Sequence, residues 1–557
     1  MTDSATTDST SGAATAAPIT GGQAMARQLV AEGVTTMFGI PGVQLDYANN
    51  GLATVADDIR FINVRHEQTA TYAADGYARS TGEIGVALVV PGPGMLNAAA
   101  GLVTAWSCSS PILLISGQIP SRGIGKGLGL LHEIPDQSGI LETLCRQSTL
   151  VTDPDQVAGA IHGAMVRLGA GPGPVAVELP PDILFGHTDG PAIGAEAPAP
   201  PSPGGDAELG AIAERLAAAE RPVILVGGGA RAADGWDALP ALARALGAPL
   251  VATVNGKGAF DDGDDYAFLP LAAKELLMEA DTVLCLGSRA VDNRGRNLAV
   301  ADDAVMLSVN TNPADFGPPR AFAATAVGDA GAAAAALTAL LGAGEKSLWV
   351  DAPAVRSRWA EELAPLDPQV AYAAAVRDAL PDDAVLVNEL TQVGYVSRYT
   401  YEVRAPRSYI DCGFQGTLGY GYPTAIGAAA GNPDRPVVSI NGDGGFGYGL
   451  AELATVANHD LPLIGVVFAD DAYGNVQRMH TQQFEGVFHG TTLRNPDFVA
   501  LAQAFDVAGH RATSPDELRS TLADAIDAGR PALIEVPVGE MPDPWPTLLG
   551  PYRPPAV

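Results

Sequence analysis

Residues 437–475 carry the sequence VVSINGDGGFGYGLAELATVANHDLPLIGVVFADDAYGN, which decides the fold of this chain. An apolar run at 437–440 predicts a buried strand, and the glycines from Gly442 to Gly449 allow a tight backbone turn beside a ligand. The apolar residues that follow recur at helical spacing, and a second strand is predicted at 463–468. The stretch therefore predicts a strand–helix–strand unit of a parallel sheet.

Two acidic residues, Asp443 and Asp470, come just beyond the ends of these strands. Because parallel strands end at one edge of a sheet, we expect the two carboxylates to converge there. The glycine-loop amides and the helix N-terminus favour an anion such as diphosphate, which two carboxylates would repel unless a divalent cation lay between them. Mg²⁺ is commonly shared between carboxylates and phosphates, so a magnesium–diphosphate site is predicted. A solvated turn is the alternative interpretation of the motif.

The remaining sequence alternates short apolar runs with helical stretches. This pattern is typical of doubly wound α/β domains, in which a parallel sheet is covered on both faces. A Pro- and Gly-rich segment predicts one linker, and a weaker break predicts a second. The predicted organisation is a flexible tail at 1–18, domains at 19–190, 206–343 and 365–540, linkers at 191–205 and 344–364, and a tail at 541–557.

Composition excludes several classes of protein. The 557 residues include 32 Lys and Arg against 63 Asp and Glu, and the net charge of −31 disfavours binding to nucleic acids or anionic membranes. We expect no secretion signal and no membrane-spanning helix. The cysteines are scattered, which argues against a disulfide framework or a structural zinc site and favours a reduced, cytoplasmic environment. They are Cys108, Cys145, Cys285 and Cys412.

The 437–475 stretch resembles the fingerprint of thiamine diphosphate enzymes, in which GDG is followed some two dozen residues later by an Asn pair. The resemblance implies three domains: pyrimidine-binding, central and diphosphate-binding. It implies Mg²⁺ ligands at Asp443, at Asp470 (where the family usually has Asn) and at the Ala472 carbonyl. Leu418 falls on the bulky apolar residue that props the coenzyme into a bent shape. The implied coenzyme contacts are Glu67, Thr391, Gln392, Gly416, Leu418, Gly442, Asp443, Gly444, Gly445, Phe446, Asp470, Ala472, Tyr473 and Gly474.

The first domain contains NVRHEQTATYAADGYARSTG at 63–82, which resembles a stretch of acetolactate synthases. The resemblance implies that Glu67 is catalytic and hydrogen-bonds the aminopyrimidine ring of the coenzyme. A helix N-terminal charge is the alternative interpretation. Because the family pairs such a glutamate with the diphosphate motif across a subunit interface, a homodimer or homotetramer is implied.

The substrate pocket departs from the synthase pattern. His132 falls where synthases usually have Gln and simple 2-oxo acid decarboxylases tend to have His. It is a candidate proton donor or acceptor, with Gln118 as a neighbour, although a surface-loop histidine is the alternative interpretation. Met479 replaces a Trp found in many synthases. The turn VILVGGGAR at 223–231 is a weak dinucleotide motif, so FAD, which acetolactate synthases carry, is possible but doubtful.

The function implied is decarboxylation of a 2-oxo acid such as pyruvate, dependent on thiamine diphosphate and Mg²⁺, with carboligation to a second carbonyl. A non-ligating decarboxylase that releases an aldehyde is the nearest alternative. An oxidoreductase and a catalytically silent homologue are more distant alternatives, and the presence of both Glu67 and Asp443 argues against the silent protein.

Overall fold

The computed structural model describes residues 18–197, 199–231, 235–291, 296–342 and 344–549. These residues form three six-stranded parallel sheets flanked by helices, which confirms the predicted α/β class. Apart from Pro18, the predicted N-terminal tail lies outside the described residues. Within the described ranges, no helix is long and apolar enough to cross a membrane.

The first unit contains one six-stranded sheet and a small antiparallel pair formed by its first and last strands. Its strands are β1 (Ile19–Thr20), β2 (Thr36–Gly39), β3 (Arg60–Asn63), β4 (Gly85–Val89), β5 (Ile112–Gly117), β6 (Gln147–Leu150), β7 (Val175–Leu179) and β8 (His187–Thr188). Its helices are α1 (Gly21–Ala31), α2 (Asp46–Ala53), α3 (Glu67–Thr81), α4 (Pro93–Cys108), α5 (Gln137–Leu144), α6 (Val157–Gly169) and α7 (Pro181–Phe185).

The central unit contains the second sheet. Its strands are β9 (Pro222–Val226), β10 (Leu250–Ala252), β11 (Ala267–Phe268), β12 (Thr282–Leu286), β13 (Val305–Asn310) and β14 (Ala324–Val327). Its helices are α8 (Asp206–Ala217), α9 (Ala238–Leu246), α10 (Ala273–Glu279), α11 (Ala330–Leu341) and α12 (Ala352–Leu363). Helix α12 falls within the predicted linker 344–364, and its Ala352 and Val355 pack into the same apolar cluster as Val223 of the central sheet. That prediction missed the helix because its apolar residues are mainly alanines and are interrupted by charged residues, which gives a weak apolar pattern.

The third unit contains the remaining sheet. Its strands are β15 (Val385–Asn388), β16 (Tyr409–Asp411), β17 (Val437–Gly442), β18 (Leu463–Ala469), β19 (Ala508–Arg511) and β20 (Ala532–Pro537). Its helices are α13 (Gln369–Ala379), α14 (Gln392–Thr400), α15 (Gly421–Gly431), α16 (Asp443–Gly449), α17 (Leu453–Asn458), α18 (Gly474–Gln483), α19 (Phe498–Ala504), α20 (Pro515–Ala528) and α21 (Trp545–Leu549).

Helix α21 lies in the predicted tail 541–557, of which residues 550–557 lie outside the described residues. Its Leu548 is buried in an apolar cluster with Val396. The Trp545 indole donates a hydrogen bond to the Asn475 side chain at 2.7 Å, so this segment is docked on α18. The sequence does not predict this helix, because the short segment around Trp545 and Pro546 has no helical periodicity.

The first and third sheets share one strand order. The first runs β3-β2-β4-β5-β7-β6 and the third runs β16-β15-β17-β18-β20-β19. In each sheet, the strand that comes first along the chain therefore lies between the strands that come second and third. The central sheet, β11-β10-β9-β12-β13-β14, has the order of a dinucleotide-binding fold. In such open sheets, ligands bind beyond the carboxyl ends of the strands at the point where the strand order reverses. That point lies between β2 and β4, between β9 and β12, and between β15 and β17.

Helices α3 and α15 join the first and third units. A Cβ atom added at Gly76 or at Gly427 would overlap a backbone carbonyl of the opposite helix, so only glycine permits this close approach. Ala73 and Tyr72 of α3 and Ala425 of α15 belong to one buried apolar cluster that spans both units. The two ligand-binding edges are therefore carried by rigidly packed elements.

Candidate active site

Asp443 lies at the switch point of the third sheet, as the first residue of α16 directly after β17. Its side chain is 3% exposed. Oδ1 accepts a hydrogen bond from the Gly444 amide at 2.8 Å, and Oδ2 accepts bonds from the Asp471 amide at 2.8 Å and Asn495 Nδ2 at 2.6 Å. Burial raises the pKa of Asp443, and the hydrogen bonds from these three donors lower it in part. The carboxylate is thus held in one orientation at the sheet edge.

Asp470 follows the neighbouring strand β18, and its Oδ1 accepts a hydrogen bond from the Ala472 amide at 3.2 Å. Burial, and then the nearby charge of Asp443, raises the pKa of Asp470 to about 6. The structure therefore brings together the two carboxylates that the sequence predicts to converge. A buried carboxylate and a partly buried one that repel each other are a donor set suited to a shared cation.

The donor set fits Mg²⁺ with a diphosphate better than it fits a metal held by side chains alone. Throughout the described ranges, no group of three or more His, Cys, Asp and Glu side chains is arranged to hold a metal ion. Two carboxylates and a backbone carbonyl leave coordination positions that phosphate oxygens and water commonly fill for Mg²⁺. The geometry is therefore compatible with the predicted ligands Asp443, Asp470 and Ala472.

Glycines keep this edge of the sheet open. A Cβ at Gly444 would lie 2.8 Å from the ring of Tyr473, and one at Gly474 would overlap Asp470 Oδ2. The Cβ added at Gly474 would also lie 2.8 Å from Gln392 Nε2. The predicted contacts Gln392, Tyr473 and Gly474 thus surround the acidic pair.

Thr391 and Gln392 begin α14, which follows β15 on the other side of the switch point. Both side chains are buried, and Thr391 Oγ1 lies 3.1 Å from the position of a Cβ at Gly442. Gln392 Oε1 accepts a hydrogen bond from Arg478 at 3.0 Å. The loops after β15 and β17 therefore contact each other where a diphosphate is predicted.

Leu418 lies in the segment between β16 and α15 and is 41% exposed. Gly416 and Gly419 flank it with φ angles of 60° and 77°, which glycine adopts without strain. The side chain is therefore not used in the core of the protomer and is available to a ligand.

Phe446 behaves differently from its neighbours in the motif. Its ring is 1% exposed and packs edge-on against Tyr422 and Phe498, with centroids 5.1 and 5.8 Å away. The side chain belongs to the hydrophobic core, so only the backbone of Phe446 is left for a coenzyme contact. The glycine-rich run also forms helix α16 rather than the loop that the sequence predicts.

Glu67 lies in the first unit, as the first residue of α3 after the N-cap His66. It is half-buried, and its Oε2 accepts a hydrogen bond from Asn97 Nδ2 at 3.0 Å. Its Oε1 lies 3.4 Å from the position of a Cβ at Gly94. Glu67 therefore stands beside α4, whose first residues follow the strand β4 at the switch point.

His132 lies at the same edge of the first sheet. Its Nδ1 is 3.0 Å from Gln44 Oε1, and Gln44 is a buried residue in the loop after β2. The His132 backbone has a φ of 65°, and its carbonyl fills the space that a Cβ at Gly92 would need. Sequence reasoning missed Gln44, because a glutamine between Val43 and Leu45 gives no motif signal.

Gln118 directly follows β5 and is buried. It is 5% exposed, its Nε2 donates to Glu178 at 2.9 Å, and its Oε1 accepts from the Ile119 amide at 2.8 Å. Glu178 is fully buried and also accepts hydrogen bonds from Gln137 and Ser138. These bonds use one N–H and one lone pair of the Gln118 amide, so the predicted role of Gln118 beside the substrate stays a prediction.

The network around Glu178 reaches the glycine loop after β4. Gln137 Oε1 accepts a hydrogen bond from the Gly92 amide at 2.8 Å, and Gln137 Nε2 donates to Glu178 at 2.9 Å. Since Gly92 contacts the His132 carbonyl, the buried glutamate braces the loop that carries His132. Glu178 is an acidic residue within the apolar run of β7, and this was the one signal in the sequence that could have revealed the network.

The predicted residues fall into two groups, one at the edge of the first sheet and one at the edge of the third. Among the described residues, no hydrogen bond or ion pair joins Glu67 or His132 to Asp443 or Asp470. The two groups belong to different units of this protomer, as the resemblance implies.

The central sheet brings two glycine loops into contact at its switch point. The Gly229 amide donates a hydrogen bond to the Gly287 carbonyl at 3.0 Å, and a Cβ at Gly227 would overlap that same carbonyl. Residues 232–234 and 292–295, beside these loops, lie outside the described residues. The doubtful flavin site therefore stays a prediction.

Comparison with known proteins identifies three domains of one family along most of the chain. Residues 19–140 match the N-terminal TPP binding domain of thiamine pyrophosphate enzymes, residues 209–338 match their central domain, and residues 391–536 match their C-terminal TPP binding domain. A probable 2-ketoarginine decarboxylase of Pseudomonas aeruginosa is 37% identical, with 93% of this chain and 94% of that protein covered.

Acetolactate synthases show similar coverage. The probable large subunit of Methanocaldococcus jannaschii is 30% identical over 93% of this chain and 91% of its own length. The large subunit of Parasynechococcus marenigrum is 31% identical over 93% of this chain and 88% of its own length. With all three domains matched in order and these identities extending over most of the chain, the protein belongs to the thiamine pyrophosphate enzyme family.

Proposed function

We propose that this protein decarboxylates a 2-oxo acid with the help of thiamine diphosphate and Mg²⁺. The observation that carries the proposal is the convergence of Asp443 and Asp470 at adjacent strand ends, beside glycines that leave the sheet edge open. Asp443, Asp470 and the Ala472 carbonyl would hold Mg²⁺, and Thr391, Gln392 and the Gly445 amide would hold the diphosphate. When bound, the coenzyme supplies the electron sink that accepts the bonding electrons as CO₂ leaves.

Glu67 would hold a proton opposite the aminopyrimidine ring. Asn97 donates to Glu67 Oε2 and so fixes the carboxyl while leaving Oε1 free to exchange that proton. General acid–base transfer of this kind depends on a carboxyl held in one orientation within reach of the atom that it protonates. Leu418, exposed in the protomer, would keep the ring portion of the coenzyme against the site.

The fate of the substrate carbon after CO₂ leaves decides the product. A proton delivered by His132, oriented by Gln44, would release an aldehyde, and the 37% identity to a protein named as a decarboxylase supports this product. Addition of that carbon to a second carbonyl would give an acyloin, which the similarity to acetolactate synthases supports. Protonation and carboligation are therefore the two candidate second steps.

A panel of 2-oxo acids tests the proposal. Pyruvate, branched and aromatic 2-oxo acids and one bearing a guanidinium group are each incubated with the protein, thiamine diphosphate and Mg²⁺, and CO₂ and organic products are measured together. Aldehyde alone indicates decarboxylation with protonation, and an acyloin indicates carboligation. Absence of CO₂ release from every acid would contradict the proposed decarboxylation.

Coenzyme binding gives a second test. Asp443→Asn keeps the size of the side chain but removes the charge, so we expect the affinity for thiamine diphosphate with Mg²⁺ to fall by about 100-fold or more, since changes to residues that only support metal ligands already cost about 10- to 100-fold. Asp460→Asn, an exposed change in the same unit, is the control and is expected to bind as the wild type does. Normal binding by the Asp443 variant in calorimetric titration would refute this site.

A further inference from the structure

Glu389 is a buried acidic residue that none of the predicted roles uses. It directly follows β15 and is 1% exposed. Its Oε1 accepts a hydrogen bond from the Gly419 amide at 2.8 Å, whereas Oε2 is buried and has no hydrogen-bond partner among the described residues. A buried carboxyl oxygen without a partner is costly, so its surroundings need an explanation.

Asn441, near the end of β17, presents a second buried oxygen without a partner. Its Nδ2 donates to the Ser439 carbonyl at 3.2 Å, to Ser439 Oγ at 2.9 Å and to the Val466 carbonyl at 3.2 Å. Three oxygen acceptors around one atom fix that atom as the amide nitrogen. Oδ1 therefore points the other way, where it accepts no hydrogen bond from the described residues.

The two oxygens face the same point in the structure. A Cβ added at Gly421 would lie 2.5 Å from Asn441 Oδ1 and 2.9 Å from Glu389 Oε2. Two acceptors that approach the same point repel each other when the carboxyl is ionised. A proton on Oε2 turns one of them into a donor and satisfies both oxygens with one hydrogen bond.

The charges around Glu389 are consistent with a protonated carboxyl. The titratable groups whose pKa values respond to its charge are Tyr72 of α3, Tyr395 of α14 and Cys412 after β16, all of which are uncharged at neutral pH. Burial raises the pKa of Glu389 to about 7, although the backbone amides at 419–421 lower it in part. No basic side chain is among these influences.

The position of the carboxyl links two parts of the coenzyme site. Oε1 holds the amide of Gly419, the residue after Leu418. The same oxygen fills the space that a Cβ at Gly445 would need, in the first turn of α16 beside Asp443. Glu389 thus lies between the segment that carries Leu418 and the helix that carries the first predicted metal ligand.

We propose that Glu389 is a positioning residue that carries a proton on Oε2, that this O–H donates a hydrogen bond to Asn441 Oδ1, and that the neutral pair holds the Leu418 segment against α16. The inference rests on the proposed function, because it assigns the role of these two elements to coenzyme binding. Loss of the proton places a buried charge opposite Asn441 Oδ1 and loosens the contact between them.

The shared proton is tested on the apoprotein by infrared difference spectroscopy between about pH 6 and about pH 8. In addition to the signal of Asp470, which titrates in both proteins, we expect the wild type to show a band of a protonated carboxyl that disappears as the pH rises and is missing from Glu389→Gln. Glu540→Gln, an exposed change in the same unit, is the control and should keep the band. The same band in Glu389→Gln would overturn the assignment, as would a wild-type spectrum without it.

The link to the coenzyme site is tested by calorimetric titration with thiamine diphosphate and Mg²⁺ at the same two pH values. If only the form with protonated Glu389 binds the coenzyme, the wild-type affinity for the coenzyme falls by about tenfold at the higher pH. Glu389→Gln keeps a permanent donor towards Asn441 Oδ1, so its affinity should not show this fall, whereas Glu540→Gln should. An equal fall in wild type and Glu389→Gln would overturn the positioning role.

The two tests separate the inference from the proposed function. If no variant binds the coenzyme at either pH, both the proposed function and the positioning role fail, and the infrared band still reports on the proton itself. If the coenzyme binds but the band is absent, the function stands and the inference fails. Thermal unfolding of Glu389→Gln verifies that the variant is folded in both experiments.

Discussion

Glu67 is the residue at which the proposed chemistry is most directly tested. Glu67→Gln keeps the shape of the side chain and its contact with Asn97 but removes the exchangeable proton. We expect turnover of the best 2-oxo acid to fall by about 10²- to 10⁴-fold, the usual value of one general acid–base group. Coenzyme affinity, measured by titration, should change little.

Glu142→Gln on α5 is the matched control, since Glu142 is exposed and on the same unit. It should retain wild-type turnover. Full activity in Glu67→Gln would show that this carboxyl takes no part in proton transfer.

The raised pKa of Glu389 also predicts how the stability of the folded protein depends on pH. Burial raises its pKa from 4.5 to about 7 in the folded protein. Between these values the folded chain retains a proton that the unfolded chain has released, so the stability contributed by protonated Glu389 is lost as pH rises through this window. Glu389→Gln has no such proton.

We therefore expect the unfolding free energy of the wild type, relative to that of Glu389→Gln, to fall between about pH 5 and about pH 8. Urea unfolding of the apoprotein measures this difference. A relative stability that stays constant or rises over the interval would contradict the raised pKa. The comparison with the variant removes the contributions of Asp443 and Asp470, which both proteins share.

At the scale of elements, α16 shows how glycines serve two different purposes in one helix. A Cβ at Gly445 would overlap Glu389 Oε1, whereas a Cβ at Gly447 would meet nothing within 4 Å. Gly445→Ala should destabilise the apoprotein by about 1–3 kcal/mol, the usual cost of overpacking a buried site. It should also weaken coenzyme binding, because it displaces the start of α16.

Gly447→Ala is the control within the same helix. With free space around it and an exposed position, it should stabilise the apoprotein by about 0.5–1 kcal/mol, since alanine loses less backbone entropy than glycine. Urea unfolding measures both effects. A Gly445→Ala variant that is as stable as the wild type, or no less stable than Gly447→Ala, would contradict the packing around Glu389.

The helical state of this glycine-rich run also shows a limit of local patterns. Glycine propensity favours a turn, and the sequence predicts one. The structure forms a helix there because Asp443 bonds the Gly444 amide and Phe446 packs into the core beside Tyr422. Tertiary contacts outweigh the weak local preference.

At the scale of the whole molecule, the resemblance to thiamine diphosphate enzymes predicts an active site shared between subunits, since Glu67 and Asp443 lie in different units of the chain. If one subunit supplies Glu67 and its partner supplies Asp443, a dimer of one Glu67→Gln and one Asp443→Asn chain contains one intact site. Random reassembly of equal amounts of the two inactive variants should then recover about a quarter of wild-type turnover.

The measurement is turnover after joint unfolding and refolding of the two variants, with each variant refolded alone as the control. Recovery above the sum of the two controls supports a site between subunits. No recovery, with dimers present by light scattering, would place both residues in one chain's own site and contradict the proposed arrangement.

Some features were determined by the sequence itself, because their signals are local. Continuous apolar runs such as 437–440 and 463–468 predicted the buried parallel strands, and strand ends followed by Asp443 and Asp470 predicted the acidic pair. These predictions succeed because parallel strands must end at one edge, so residues after successive strands come together without further information.

Other features were decided by tertiary structure, because they depend on partners distant in the chain. The buried hydrogen bond of Gln118 requires Glu178, and the contact of the His132 side chain requires Gln44. The first and third sheets have the same strand order, although the sequence shows no repeat. Many different apolar sequences can form one topology, so a shared fold need not appear as a sequence repeat. The facing oxygens of Glu389 and Asn441 likewise arise only when two strands are paired, and hydrogen-bond satisfaction is a property of the packed molecule.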